Sequence, residues 1–133
     1  MRNKILRANL RKGRVRKVIN QHCIIPSSGS EAQKRYRLSL HKTGRHIYAQ
    51  VIDLNEQGKV ICSHSTLNYR EKQYNKAYCT KEYANRLGTD IGHKILEKNI
   101  TKISIDRGSN KYVGRIAAFA EAVRAVCKDK ASF

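Results

Sequence analysis

Residues 103–118 contain a switch of periodicity that constrains the fold more than any other stretch of this chain. Ile103 and Ile105 alternate with polar residues, as in a short β-strand. Turn-forming residues follow from Asp106 to Asn110, and a glycine such as Gly108 can adopt φ > 0 at no steric cost. Apolar residues then recur at helical spacing, namely Val113, Ile116, Ala117, Ala120 and Val123. The stretch therefore predicts a strand, a tight loop and a helix.

The loop and the first helical turn place Arg107, Lys111 and Arg115 near a single acid, Asp106. A helix N-terminus already carries free N–H groups and a partial positive charge, so added cations favour an anion such as phosphate. Asp106 is expected to accept hydrogen bonds from the loop amides or to orient Arg107. An ordinary strand-to-helix connection with a solvated basic rim fits the same residues equally well.

The charge of the chain points to a polyanionic partner. The 133 residues fit one domain, and 28 Lys and Arg against 10 Asp and Glu give a net charge of +18. Nucleic acid is the first candidate and an anionic membrane surface the second. Residues 1–45 alone hold 13 of the basic residues and one acid. The N-terminal third is therefore a basic arm, and the remainder is mildly basic.

The arm has three interpretations. Residues 1–30 contain eight Lys or Arg and no acid, with apolar residues interleaved, so part of the arm is able to become helical. It suits an RNA-binding tail that orders on contact, a solvated tail, or an organelle transit peptide. The composition of residues 26–30 indicates a linker. We therefore divide the chain into an arm and linker, 1–33, and one α/β domain, 34–133.

The remaining pattern predicts strands over 36–41, 46–53 and 59–65, forming an antiparallel meander with a loop at 54–58 closed by Gly58. A helix over 80–98 follows, with Thr80 as N-cap and Asn99 as a stop signal. Gly88 and Gly92 lie one turn apart, which predicts close packing on the sheet. A fourth strand over 100–105 and a helix over 111–127 complete a mixed α+β sheet. Residues 68–79 are predicted to form a loop, in which Tyr69, Tyr74 and Tyr78 are either stacking sites or plain surface residues.

Alternation in the first two strands separates an apolar face from a polar one. Leu38, Leu40, Ile47, Ala49 and Val51 are expected to point inward. The opposite face would carry cations, hydrogen-bond donors and one flat aromatic ring, from Arg37, Ser39, His41, His46, Tyr48 and Gln50. Such a face suits phosphates, sugars and exposed bases, but any half-buried sheet also shows this alternation.

The four cysteines give no sign of a metal site. Cys23, Cys62, Cys79 and Cys127 are widely spaced, and no pair has Cys-x-x-Cys spacing. We expect Cys62 and Cys127 to be small core residues, and reduced thiols fit a cytosol-like compartment. No apolar run approaches the roughly 20 residues that span a bilayer. No cofactor and no metal are expected.

The strand–loop–helix stretch at residues 103–118 also resembles part of a known protein family. Asp106-Arg107-Gly108, followed by Lys111-Tyr112 and Gly114-Arg115 before an Ala-rich helix, resembles the C-terminal signature of the bacterial-type L-eighteen family of large-subunit ribosomal proteins. Residues 37–51 resemble the strand hairpin of that family, and residues 65–67 resemble the end of its third strand. The family often has His where this chain has Val113, and Gly where it has Ser109.

The resemblance implies a ribonuclease-H-like layered domain and a structural role without catalysis. It implies 5S rRNA as the main ligand, contacts with 23S-type rRNA, and a place in the central protuberance beside the L-five family protein. The location implied is the large subunit in the cytoplasm, or alternatively an organellar ribosome. The basic arm residues expected to contact RNA are Arg2, Lys4, Arg7, Arg11, Lys12, Arg14, Arg16 and Lys17.

Two further groups of residues are expected to contact RNA because they match the motifs of the family. The hairpin group is Arg37, Ser39, His41, Lys42, Arg45, His46, Tyr48 and Gln50. The loop group is Arg107, Gly108, Lys111, Tyr112, Gly114 and Arg115.

Two other functions were weighed. A metal-dependent nuclease would need several clustered carboxylates, but only Asp53 and Asp106 end strands and no further acid is placed near them. A membrane-surface protein would use the basic arm, but it leaves the Asp-Arg-Gly motif unexplained. The cations around the two acids suit RNA binding better than metal binding.

Overall fold

The computed structural model describes residues 2–23, 34–69 and 78–128. Their elements are α1 (Arg2–Cys23), β1 (Tyr36–Lys42), β2 (Ile47–Asp53), β3 (Lys59–Ser65), a short 3-10 helix (Thr66–Tyr69), α2 (Lys81–Glu97), β4 (Ile103–Asp106) and α3 (Arg115–Cys127). The predicted linker at 26–30 and Tyr74 lie outside the described residues.

The four strands form one mixed sheet in the order β3-β2-β1-β4. β1 pairs antiparallel with β2 and parallel with β4, and β2 pairs antiparallel with β3. The apolar positions are in register, since Leu38 lies opposite Val51 and Leu40 lies opposite Ala49. The predicted meander, the helical crossover and the mixed α+β sheet are confirmed, with strand ends shifted by one residue in β1 and β2.

The hydrophobic core lies between one face of this sheet and the helices α2 and α3. Leu38, Val51, Leu87, Ile91 and Phe119 have no exposed surface. Completely burying a side chain of this size stabilises the fold by about 1.5–3 kcal/mol. The alternate residues of β1 face away from this core, so the sheet has a second, polar face.

Gly88 and Gly92 serve close packing between the two helices. A Cβ atom built on Gly88 would lie 2.5 Å from the backbone oxygen of Phe119, and one on Gly92 would lie 2.9 Å from Cβ of Val126. Phe119 and Val126 both belong to α3. The prediction that these glycines allow close packing was right, but their neighbour is α3 and not the sheet. The spacing of one helical turn could not distinguish the two, because a helix packs with the same spacing against a sheet or against another helix.

Both ends of α2 follow the predicted signals. The Thr80 side chain accepts a hydrogen bond from the N–H of Tyr83 and caps the N-terminus. Asn99 adopts φ of 54° after the helix, and the N–H groups of Asn99 and Ile100 donate to the oxygens of Leu96 and Ile95. These two bonds form a Schellman motif. The N–H of Ile100 is thus bonded to the end of the helix, and β4 begins at Ile103, three residues later than the predicted start at residue 100.

The helix α3 begins at Arg115, four residues later than predicted. Gly114 precedes it with φ of 60° and ψ of −121°, which is outside the helical region. Residues 111–114 therefore belong to the loop. Val113 falls on the helical period of the sequence, but it lies in this loop and is 65% exposed, so its predicted place in the helix was wrong.

Two loop tyrosines were also misjudged. Tyr69 and Tyr78, predicted to be stacking sites or surface residues, are both buried in the core cluster. Both pack near Tyr83, whose ring centroid lies 6.2 Å from that of Tyr69 and 5.0 Å from that of Tyr78. Of the predicted core cysteines, Cys127 is buried and Cys62 is half-buried. Burial raises the pKa of both thiols, which keeps them protonated.

Candidate nucleic-acid interface

The basic helix α1 lies across the polar face of the sheet and contacts β1 and β4. Arg37 of β1 donates from Nη1 to Oδ1 of Asn20 over 3.1 Å. At the end of the helix, the backbone oxygen of Cys23 accepts a hydrogen bond from Nδ2 of Asn55 over 3.1 Å. Cys23 is 1% exposed, and burial raises the pKa of its thiol. The C-terminal half of α1 is thus held against the sheet.

The cations of α1 differ in what they contact. Lys4, Arg7, Arg11, Arg14 and Lys17 are exposed, and Arg2 belongs to the helix. Arg16 is also exposed, but its Nε lies 3.5 Å from Oδ2 of Asp106 at the end of β4. Lys12 is half-buried and lies over Gly108. Most of the positive charge of the helix therefore faces solvent, while Arg16 and Lys12 hold it to the loop after β4.

The loop after β4 is organised by Asp106, which is 1% exposed. Its Oδ1 accepts a hydrogen bond of 2.9 Å from the N–H of Gly108, which has φ of 61°. The N–H of Asn110 donates to the oxygen of Arg107 over 3.2 Å. The expectation that Asp106 bonds a loop amide is confirmed. Its cationic partner is Arg16 of α1 and not Arg107.

Beside α1, the hairpin of β1 and β2 presents an open polar surface. Ser39 pairs with Gln50 and His41 pairs with Tyr48, so all four side chains lie on the same face. The rings of His41 and Tyr48 have centroids 6.1 Å apart. His41 and Gln50 are exposed, as is Arg45 in the turn, while Lys42, Ser39 and Tyr48 are half-buried. The structure brings these predicted residues together.

His46 is fixed at the end of this surface. Its ring stacks on Tyr78, with centroids 5.6 Å apart and planes inclined by 8°. Its Nδ1 lies 3.1 Å from Oγ1 of Thr66, a residue with no exposed surface. Tyr48 lies edge-on to the same ring at 6.5 Å. His46 therefore belongs to the hairpin surface and is held from beneath by Thr66 and Tyr78, neither of which was predicted to contact it.

The remaining predicted residues lie around the start of α3. Lys111, Tyr112 and Gly114 are exposed, and Arg107 is half-buried. The Tyr112 hydroxyl accepts a hydrogen bond of 2.6 Å from Nη1 of Arg124, which lies on α3. Arg115 is half-buried and donates from Nη1 to the backbone oxygen of Cys79 over 2.8 Å. The loop thus offers solvent-facing cations and one aromatic ring.

The two strand-ending acids are each neutralised by a cation. Asp106 faces Arg16, and Oδ2 of Asp53 lies 2.6 Å from Nζ of Lys34. Burial alone would raise the pKa of Asp53, but the hydrogen bonds from Lys34 and the Asn55 N–H hold that pKa below its ordinary value. No group of three or more potential metal ligands occurs in the described ranges.

The supporting contacts of three residues at this surface were not predicted from the sequence. Thr66 and Tyr78 support His46, and Arg124 contacts Tyr112. Thr66 directly follows the predicted third strand, which is a weak positional signal. Arg124 and Tyr78 carry no local signal, because their contacts join segments that are distant in sequence. Among the residues that the structure covers, no helix has the length and apolarity required to cross a membrane.

Comparison with known proteins gives the family directly. The family model for ribosomal L18 of archaea, bacteria, mitochondria and chloroplast matches residues 2–127. The large ribosomal subunit protein uL18 of Rickettsia felis is 37% identical over 124 residues, which are 93% of this chain and 96% of that protein. The uL18 protein of Rickettsia typhi is 39% identical over the same shares of both chains. This chain therefore belongs to the uL18 family of large-subunit ribosomal proteins.

Proposed function

We propose that this protein binds 5S rRNA and helps attach it to 23S rRNA in the central protuberance of the large subunit. As a uL18 family member, it is a structural, non-enzymatic component of the ribosome that acts in translation. The observation that carries the proposal is that α1, with eight Lys and Arg and no acid, lies on the same sheet face as the exposed hairpin residues. A single side of the molecule thus combines positive charge with donors and rings.

The two parts of this surface suit different parts of RNA. Exposed cations such as Arg7, Arg11 and Arg14 stand on a helix and suit phosphates, which carry no sequence information by themselves. The hairpin face has His41, Tyr48 and amide or hydroxyl groups, which suit bases and 2′-hydroxyls of single-stranded or looped RNA. We therefore assign affinity mainly to α1 and discrimination mainly to the hairpin.

The loop between β4 and α3 extends the same surface. Arg107 and Lys111 supply charge, and the Tyr112 ring is held by Arg124 while remaining 40% exposed. Asp106 bonds to the loop and pairs with Arg16, so the loop and α1 are linked by a buried carboxylate. This linkage supports a continuous RNA site that includes both segments, with Gly108 and Gly114 giving close backbone approach.

The direct test is a gel shift of 5S rRNA from a Rickettsia relative, with tRNA as competitor. We expect a complex that survives an excess of tRNA. Arg14→Gln on α1 should weaken it, whereas Lys98→Gln, an exposed cation just after α2, removes the same charge from the other side and should change affinity little. Equal losses for both variants would mean that only net charge matters. Failure of the wild-type protein to shift 5S rRNA would overturn the proposal.

We further propose the L-five family protein and 23S-type rRNA as neighbours, and the cytoplasmic ribosome as the location. The organellar alternative remains consistent with a basic N-terminal arm. Expression of the tagged protein followed by sedimentation of ribosomes separates these possibilities. Co-sedimentation with cytoplasmic large subunits supports the proposal, and recovery only in organellar subunits contradicts the location.

A further inference from the structure

The hydrogen bonds around Thr66 determine which nitrogen of His46 carries a proton. Oγ1 of Thr66 accepts a hydrogen bond of 3.0 Å from the backbone N–H of Ile47, and it lies 3.1 Å from Nδ1 of His46. Thr66 has no exposed surface and makes no other side-chain hydrogen bond within the described ranges. A hydroxyl group has one hydrogen to donate and two lone pairs that accept.

Only one arrangement satisfies every one of these groups. If Nδ1 of His46 carried a proton, it would donate to Oγ1 of Thr66, and the buried hydroxyl hydrogen would have no acceptor among the described residues. Leaving a buried polar hydrogen without a partner is unfavourable. If Nδ1 is unprotonated, the Thr66 hydroxyl donates to it and all groups are paired. The neutral imidazole therefore carries its proton on Nε2.

The backbone of His46 is held as firmly as its ring. Its N–H donates to Oγ1 of Thr43 over 3.0 Å, and its carbonyl oxygen accepts from the N–H of Thr43 over 2.9 Å. The N–H of Tyr78 donates to the oxygen of Arg45 over 2.9 Å, next to the stacked rings of Tyr78 and His46. Both the ring plane and the ring rotation are thereby set before any RNA is bound.

The other ring nitrogen faces the surface. Nε2 of His46 has no hydrogen-bond partner within the part of the chain that the structure describes, and it is not among the atoms that are buried without one. The neighbouring His41 and Tyr48 lie on the open hairpin face. An N–H that is fixed in direction discriminates between acceptors and donors, since it pairs with an oxygen and repels an amino group.

We propose that Thr66 is a positioning residue, which locks His46 as a preoriented Nε2–H donor for an oxygen acceptor of the bound RNA. The acceptor is a phosphate, a 2′-hydroxyl or a base carbonyl oxygen, all of which share this chemistry. The inference rests on the proposed function, because it names how one residue of that surface selects its contact. Thr66 acts through His46 and does not itself reach the RNA, because it is fully buried.

The tautomer is tested first, without RNA. In the ¹⁵N-histidine-labelled protein, long-range ¹H–¹⁵N correlation distinguishes a protonated Nε2 from a protonated Nδ1. We expect His46 to show a protonated Nε2 and an unprotonated Nδ1. Thr66→Ser keeps the hydroxyl and should retain this pattern, while Thr66→Val should lose it. A wild-type protein with the proton on Nδ1 overturns the inference whatever the RNA does.

The RNA contact is tested with two replacements of the ring. The side-chain amide of Asn resembles the Nδ1 position, whereas that of Gln reaches the Nε2 position. With 5S rRNA of a Rickettsia relative as probe, His46→Asn should bind about tenfold more weakly than wild type, and His46→Gln should be weakened less, because it keeps a donor at the Nε2 position but loses the bond to Thr66. Thr66→Val should weaken binding in the same way, and Thr66→Ser should not. Thermal melting of each variant separates lost contacts from lost folding.

The outcomes separate this inference from the proposed function. Wild-type affinity of a folded His46→Asn protein, with 5S rRNA still bound, overturns the role of His46 and leaves the proposed function intact. Weakening of His46→Asn and His46→Gln by the same factor also overturns it, since position of the donor would then not matter. Failure of the wild-type protein to bind 5S rRNA overturns the proposed function and the RNA role of His46 together.

Discussion

Arg115 donates a hydrogen bond from its guanidinium to the backbone oxygen of Cys79, with Nη1 only 3.0 Å from Sγ of the same residue. The first residue of α3 is thereby tied to the segment that leads into the Thr80 cap of α2. Asp106, the acid of the preceding loop, pairs with Arg16 of α1 and not with Arg115. Arg115 therefore has a structural contact in addition to its proposed contact with RNA.

The first prediction follows from this contact. Arg115→Lys keeps the charge but loses the fixed fork, which leaves the largely buried Cys79 group poorly bonded. We expect the free energy of unfolding to fall by about 1–2 kcal/mol in urea denaturation. Arg107→Lys is the matched control and should be close to wild type, because Arg107 is half-buried in the loop and its side chain makes no such bond to the residues that the structure describes. Full stability of Arg115→Lys with weaker 5S rRNA binding would assign the residue to RNA alone.

The second prediction concerns the contact of α2 with α3. In Gly88→Ala, the new methyl group would lie 2.5 Å from the backbone oxygen of Phe119. A backbone atom cannot relieve this clash by a change of side-chain rotamer. We expect a loss of about 1–3 kcal/mol in the free energy of unfolding, in spite of the better helix propensity of alanine. Gly13→Ala in α1 has no atom within 4 Å and should instead increase helicity. A stable Gly88→Ala protein would mean that the helices separate at little cost.

The third prediction is a pH dependence at the other edge of the sheet. Burial, and then the positive charge of Lys94, lower the pKa of His64 below 6.5, although Asp90 opposes the shift. The unfolded chain therefore binds the proton more readily than the fold does. Stability from this group is present above about pH 6.5 and is lost as pH falls toward the lower folded pKa.

The measurement is urea denaturation at a series of pH values between 7 and 5. The wild-type protein should lose more stability over this interval than His64→Gln, which does not titrate. His93→Gln is the matched control, because His93 is exposed on α2 and should leave the wild-type dependence unchanged. Parallel curves for wild type and His64→Gln would contradict the lowered pKa.

The fourth prediction is that the domain folds without the arm. Among the described residues, the core between the sheet and the helices α2 and α3 is built from residues such as Leu38, Leu87 and Phe119, and none of its buried members belongs to α1. A chain beginning at Lys34 should keep a cooperative thermal transition. Its melting temperature should be lower than that of the full chain, because Cys23 and Ile52 are buried and Asn20 bonds to Arg37. Loss of cooperativity would make α1 part of the folding unit.

The fifth prediction uses the same shortened chain. Each phosphate contact releases counterions, so removing α1 should reduce the slope of log affinity against log salt by about one unit per lost contact. The measurement is 5S rRNA binding at several salt concentrations for both chains. An unchanged slope would show that α1 contacts another RNA, such as 23S rRNA, and that the hairpin and the loop bind 5S rRNA alone.

Local patterns predicted those parts of the fold that depend on neighbours in sequence. Alternation placed Leu38 and Val51 inside, and Thr80 and Asn99 marked the ends of α2. The start of α3 was misplaced because Val113 satisfies the helical period, whereas the positive φ of Gly114 excludes the helix before Arg115. A periodicity cannot report a backbone angle, and this limited the accuracy of the boundary.

The supports of the candidate site could not be predicted in the same way. The bond between His46 and Thr66 joins the start of β2 to the residue after β3, and the bond of Arg115 to Cys79 joins the first residue of α3 to the segment before α2. Such contacts depend on how elements pack and have no signature in either segment. The motif predicted which residues contact RNA, and that stays a prediction, while the structure shows which residues hold their side chains in place.

The parallel pairing of β1 with β4 also sets an order of events during synthesis. β1 is an interior strand of the finished sheet, but it cannot pair with β4 until β2, β3 and α2 have been translated, because Tyr36 pairs with Ile103. Until then, one side of β1 is an open edge able to recruit foreign strands. The helix α1, which is translated before β1, contacts both β1 and β4 in the complete fold. The positive charge of α1 is therefore available beside β1 before the sheet is complete, and charge next to an open strand edge disfavours pairing with foreign strands.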